Sequence, residues 1–196
     1  MVLTFAARRR DLTWAVALEY ATVLWLAAGI SLLIPAASAS RAPMTAGLGI
    51  DAFAGILASS AALRALHAAD RDGRRRALGL VLAALAAAAG GVLLPGAAVL
   101  DAGLGHAGLG PTRGWAIASA VVMLLLALGK ARFGRRLANT ALTADGRLAV
   151  VHALVALGVV LASTGSLRAW WWVAAALGCV CCLWTGLGTA RDLRRT

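Results

Sequence analysis

The chain has 196 residues, 61% of them hydrophobic and 14% charged, with a formal net charge of +11 at pH 7. That apolar share exceeds the roughly half found in soluble domains. It falls in six long runs separated by short arginine-bearing loops, which leaves no room for a soluble domain, and the charges between the runs argue against a nucleic-acid partner. Leu- and Ala-rich runs without strand alternation exclude an outer-membrane barrel. What remains is an all-α integral membrane protein of six transmembrane helices, read as a single transmembrane domain over residues 1–196.

A hydrocarbon core of about 30 Å takes around 20 helical residues. The first run, Leu12–Ile34, follows basic residues at Arg8–Arg10 and precedes Ala37-Ser38-Ala39-Ser40, an arrangement similar to a cleavable signal. It is longer than the roughly 7 to 15 apolar residues of a signal core and carries Glu19, so it reads as a retained helix. Glu19 sits in its cytoplasmic third, where a polar entrance and a plain interfacial carboxylate both fit.

The second span, Met44–Leu66, holds Asp51 among Gly47, Gly49 and Gly55, small residues that let helix backbones approach closely. An ionised carboxylate near mid-membrane costs at least about 2.5 to 3.5 kcal/mol, so Asp51 must face a polar cavity or a partner. It is either a cation or proton site, or a structural hydrogen bond to a neighbouring helix. The third span, Ala77–Val99, contains Gly90, Gly91, Pro95 and Gly96, which are expected to bend or end it near its outer side. Asp101 and His106 follow on a glycine-rich outer loop. The fourth span is Thr112–Gly129. Pro35, Pro43 and Pro111 are expected at or beside the breaks, where a missing donor does least harm.

In the fifth span, Ala141–Ser163, Asp145, Leu148 and His152 fall on one helical face. His152 is the deeper residue: a neutral imidazole there suits a metal ligand or proton relay, and equally a packing hydrogen bond. Asp145, near Arg147, has ion pairing with nearby arginines as its simpler role. The sixth span, Ala169–Gly188, opens on Trp170-Trp171-Trp172, an aromatic interface anchor. Its Cys179, Cys181 and Cys182 do not share one face, so they read as small hydrophobes rather than a thiolate metal site.

Arginine outnumbers lysine 18 to 1, which reads as a compositional bias. Basic residues cluster at one set of helix ends: Arg8–Arg10, Arg64, Arg71, Arg74–Arg76, Lys130, Arg132, Arg135, Arg136, Arg147, Arg191, Arg194 and Arg195. Only Arg41, Arg113 and Arg168 lie at the other. The positive-inside rule places both termini in the cytoplasm.

Six helices with cytoplasmic ends, an acid in the second and Ala144-Asp145 opening the fifth resemble the cation diffusion facilitators. Leu18–Thr22, Gly47–Asp51, Gly134–Leu137 and the tryptophan triplet are similar to a compact bacterial branch described simply as cation transporters. The likeness runs along the whole chain. It implies a divalent-metal/proton antiporter of the inner membrane, usually dimeric, exporting a zinc-like cation. In that family the cargo sits between two acids one turn apart in the second helix and a His and an Asp one turn apart in the fifth. Carried onto this sequence, Asp51 stands at the first acid and Gly55 where the second is expected. Leu148 falls at the His position and His152 at the Asp position. The implied metal ligands are therefore Asp51 and His152, with Glu19 and Asp145 as weaker candidates and no cofactor beyond the transported ion. The Asp-Pro that commonly follows the tryptophans is replaced near Ala174 and Ala175, and no cytoplasmic metal-binding domain is expected after Arg195.

Zinc takes four ligands, or three plus water, so two residues leave a shell for water, another helix or a second subunit to complete. The missing ligands also fit an alternative, a non-transporting membrane scaffold or accessory subunit descended from such a carrier. An enzyme is not expected: Ser59 or Ser60 would need a histidine base beside it, and no spacing provides one. The expected partners are the lipid bilayer, a divalent cation, protons and a second copy of the chain.

Overall fold

The computed structural model describes residues 5–40, 43–68, 71–102, 109–164 and 170–195. Six helices account for nearly all of them: α1 (Phe5–Ser40), α2 (Pro43–His67), α3 (Arg71–Ala102), α4 (Leu109–Arg136), α5 (Thr140–Ala162) and α6 (Trp171–Arg195). Each is long and apolar enough to cross a membrane. The protein is a multi-pass, all-α membrane protein, and its even number of spans returns both termini to the same, arginine-rich end.

The helices overrun the apolar spans. α3 begins at Arg71 rather than Ala77, α4 continues past Gly129 to Arg136, and α6 runs on to Arg195. Lipid offers backbone groups no partner, so helical hydrogen bonding continues until the chain reaches water and headgroups. One proline expectation needs correction for the same reason, and another loses one of its two alternatives. Pro35 does not mark a break, because α1 runs through it to Ser40. Pro95 does not end the third helix, which continues to Ala102 and takes in Asp101. Neighbouring helices and local adjustment make an interior proline tolerable in a membrane span. Pro43 instead opens α2 and Pro111 lies in the first turn of α4, where the missing N–H has no helical partner to lose. Arg41, Asp70, His106 and Arg168 lie outside the described residues.

Around the perimeter the order is α1, α2, α3, α6, α5, α4 and back to α1, with α2 and α5 meeting across the middle. These two are the central helices: 56% and 61% of their most apolar stretches are buried, against 28% in α1, α4 and α6. The outer helices turn Leu24, Leu125, Leu128, Leu183 and Trp184 outward, where hydrocarbon takes the place of a protein partner. Contacts between helices are made largely by alanine. Ala54, Ala58, Ala61 and Ala65 of α2 pack on Ala77, Val81, Ala84 and Ala88 of α3, a spacing that presents one small-residue face of each helix. Gly91 of α3 lies against the backbone of Gly47 and Asp51, so the close approach expected along the α2 glycines is made to α3 there.

One turn sets the register of the site. Between α4 and α5 the chain reverses in three residues. The Asn139 N–H donates to Gly134 O and the Ala138 N–H to Arg135 O, at 2.9 and 3.3 Å, the paired bonds of a Schellman ending. Ala138 takes the left-handed position, φ 50°, that glycine usually fills. Asn139 then caps α5, its side chain accepting from the Leu142 N–H at 3.0 Å. A hairpin this short brings the last turns of α4 face to face with the first turns of α5.

Candidate functional site

Two layers of buried ionisable groups cross the bundle. The layer nearer the arginine-rich end centres on Lys130. As the last polar residue of an apolar run, it read as one more charge marking the cytoplasmic face. In the folded chain it is wholly buried. Its Nζ lies 2.8 Å from Glu19 Oε2 of α1 and 3.1 Å from Ser59 Oγ of α2, and it is ion-paired with Asp145 Oδ2 of α5. The Ser59 hydroxyl donates to the same Asp145 oxygen at 3.3 Å. An ammonium has three N–H donors, and here each finds an oxygen on a different helix. Arginine would present its donors in a wider planar fork and needs more room than this packed site offers.

Close packing makes this convergence possible. A Cβ added to Gly146 would stand 3.1 Å from Lys130 Cβ and 3.2 Å from the Ala131 nitrogen, so the missing side chain lets α5 lie directly on α4. Glu19 and Asp145 are thereby placed differently from expectation. Glu19 is a fully buried partner of Lys130 rather than an interfacial carboxylate. Asp145 pairs with that lysine, while Arg147, two residues on, is exposed. With their oxygens bound to Lys130, neither is placed to join Asp51 as a ligand.

The second layer lies farther from the arginine-rich end. Asp51 is eight residues from Ser59 along α2, and His152 seven from Asp145 along α5, so about 10–12 Å separates the layers at 1.5 Å per residue. Here the two sequence-predicted ligands do come together, with His152 Nδ1 2.7 Å from Asp51 Oδ2 and both side chains buried. The contact is not an aligned hydrogen bond: His152 Nδ1 and Nε2 and Asp51 Oδ1 have no hydrogen-bond partner among the described residues. Both residues line a cavity of about 20 Å³ with Leu26, Trp115, Ser119 and Met123, room for about one water. Toward the outer side Trp115 stacks on Trp25, ring centres 4.5 Å apart, and Trp25 Nε1 donates to Ser119 Oγ at 3.2 Å.

Gly55 explains the departure from the four-ligand pattern. A Cβ at this position would stand 2.5 Å from His152 Nε2 and would also collide with Leu26. The space expected to hold a second α2 acid is filled by the imidazole reaching across from α5. Leu148 is fully buried in the apolar cluster shared with Ala144, Val151 and Cys182. Among the described residues no group of three or more His, Cys, Asp or Glu is arranged to hold a metal ion.

Lys130 and Ser59 are the residues that sequence reasoning missed. The signal for Lys130 was present: it is the only lysine among 19 basic residues. Where arginine is the default cation, a lone lysine marks a place that needs a compact ammonium.

Fold and site together define a six-span helical membrane protein with two separated layers of buried ionisable groups. No protein-family model and no curated protein matches the chain.

Proposed function

We propose that this protein is a proton-coupled cation carrier of the cell's inner membrane, with Asp51 and His152 as its mid-membrane site. The observation that carries the reading is their meeting, at the contact of the two central helices, beside a cavity that holds about one water. Buried ionisable groups inside a membrane span are costly, and their usual use is on ion and proton paths.

The geometry supports exchange by competition. The ring nitrogen and the carboxylate oxygen stand 2.7 Å apart, a separation at which they can share a proton once the ring turns into line. A zinc-like ion bound at about 2.0–2.2 Å to each would set them about 3.3 Å apart in a tetrahedral shell. The pair therefore takes a proton or a cation, and loading either expels the other. Two protein ligands and the water-sized cavity make a loose site, suited to cargo that must be released. Export of a divalent cation and assembly as a homodimer follow from the resemblance and belong to this proposal.

A direct test is metal flux into proteoliposomes for wild type, Asp51→Ala and His152→Ala. Wild type should exceed empty liposomes and both variants should fall to that background. Equal flux in all three proteins, or none above background, overturns the assignment. One observation favours a second reading, a non-transporting scaffold: among the described residues two candidate ligands meet, both sealed from solvent. Absence of flux together with an intact fold is its expected signature.

A further inference from the structure

We propose that the Glu19–Lys130–Asp145 cluster binds one exchangeable proton, carried by Glu19. The charges of this cluster do not balance, in a place that water does not reach. Two carboxylates and one ammonium meet there, with side chains 0–3% exposed. With all three ionised, one negative charge stays uncompensated inside the bundle. A buried unpaired charge is among the costliest arrangements a fold can hold, and neutralisation is the usual response. Every donor of Lys130 is already in use, so the ammonium cannot balance more than it does.

Bonding distinguishes the two acids. Asp145 Oδ2 receives both Lys130 and the Ser59 hydroxyl, the surroundings of an ionised carboxylate. Among the described residues Glu19 accepts from Lys130, through Oε2, with the Asp145 carboxyl beside it, and its Oε1 is buried without a hydrogen-bond partner. The missing positive charge belongs there. The charged and polar groups facing Glu19 are Ser59 from α2, Lys130 from α4 and Asp145 from α5. Asp51 and His152 lie about 10–12 Å farther along their helices. Toward the arginine-rich end, the same α1–α4 seam carries the Asp11–Arg136 pair, 3.4 Å apart. A cavity of about 610 Å³ at that end, lined by Arg8, Arg71 and Arg74, reaches Ala141, one helical turn from Asp145, and gives protons a short approach. This site does not depend on the cation reading; where that reading holds, it adds a second place for protons on the same bundle.

Glu19 is the only glutamate in the chain and Lys130 the only lysine, so residue-type labelling reports each without mutation. The full chain, made with glutamate carrying ¹³C at its carboxyl carbon and reconstituted in lipid, is followed by solid-state NMR across pH. The expected result is a protonated-acid signal at neutral pH that converts to the carboxylate signal as pH rises. Asp51→Asn should leave that conversion unchanged, and ¹⁵N-lysine should report an ammonium throughout. A carboxylate signal at every pH overturns the proposal. So does a carboxylate signal that shifts when sodium or potassium replaces choline, since an alkali ion then supplies the charge. Cation flux plays no part in the readout, so its outcome and that of the carrier proposal are separable.

Discussion

Glu19 and Lys130 are 111 residues apart in sequence, and Glu19 Oε2 meets Lys130 Nζ at 2.8 Å in the interior of the bundle. Through Asp145 and Ser59 the same ammonium also ties α5 and α2, so one side chain joins four of the six helices. Removing it should be felt by the whole molecule. Lys130→Met leaves two buried carboxyl groups with no cation between them. A loss of about 3–5 kcal/mol is expected, read as a lower unfolding temperature in detergent. Lys130→Arg should not restore the wild-type value, because the larger planar guanidinium overfills a fully buried site, at about 1–3 kcal/mol.

Gly55 makes room for the imidazole of His152. Gly55→Ala should displace the ring, cost about 1–3 kcal/mol, and weaken cation binding, measured by isothermal titration in detergent. Gly55→Glu, which writes back the second acid, should not produce a tighter site, since His152 and Leu26 already fill that position. Tighter binding in that variant would contradict this account of the site.

Ala138 holds a left-handed conformation that favours glycine. Ala138→Gly relieves a strain of roughly 1–2 kcal/mol and loses part of that gain to a more flexible unfolded chain. A net stabilisation of up to about 1 kcal/mol is expected, seen as a modest rise in unfolding temperature with flux unchanged.

Trp115, stacked on Trp25, lines the Asp51–His152 cavity together with Leu33, Leu48 and Ala156. Trp115→Ala should admit water. In a background where Cys179, Cys181 and Cys182 are alanine, a water-soluble maleimide should label Ala52→Cys several-fold faster once Trp115 is removed. An unchanged rate would place the barrier elsewhere.

The residue pattern by itself determined the membrane class, the number of spans and the gathering of basic residues at one set of ends. These depend on composition and on one-dimensional periodicity, and lipid permits few alternatives to a helix for such runs. It also singled out Asp51 and His152, because ionisable residues inside apolar runs stand out one at a time. Tertiary structure alone decided which of them meet. Glu19 and Asp145 belong with Lys130, and Asp51 with His152, because a three-residue turn sets the α4–α5 register and glycines at 55 and 146 permit close approach. Lys130 escaped notice since, on a linear chain, a basic residue at the end of an apolar run is indistinguishable from one that reaches water. Whether it snorkels outward or turns into the bundle depends on what the other helices place beside it, and only the fold brings two carboxylates and a hydroxyl to that spot.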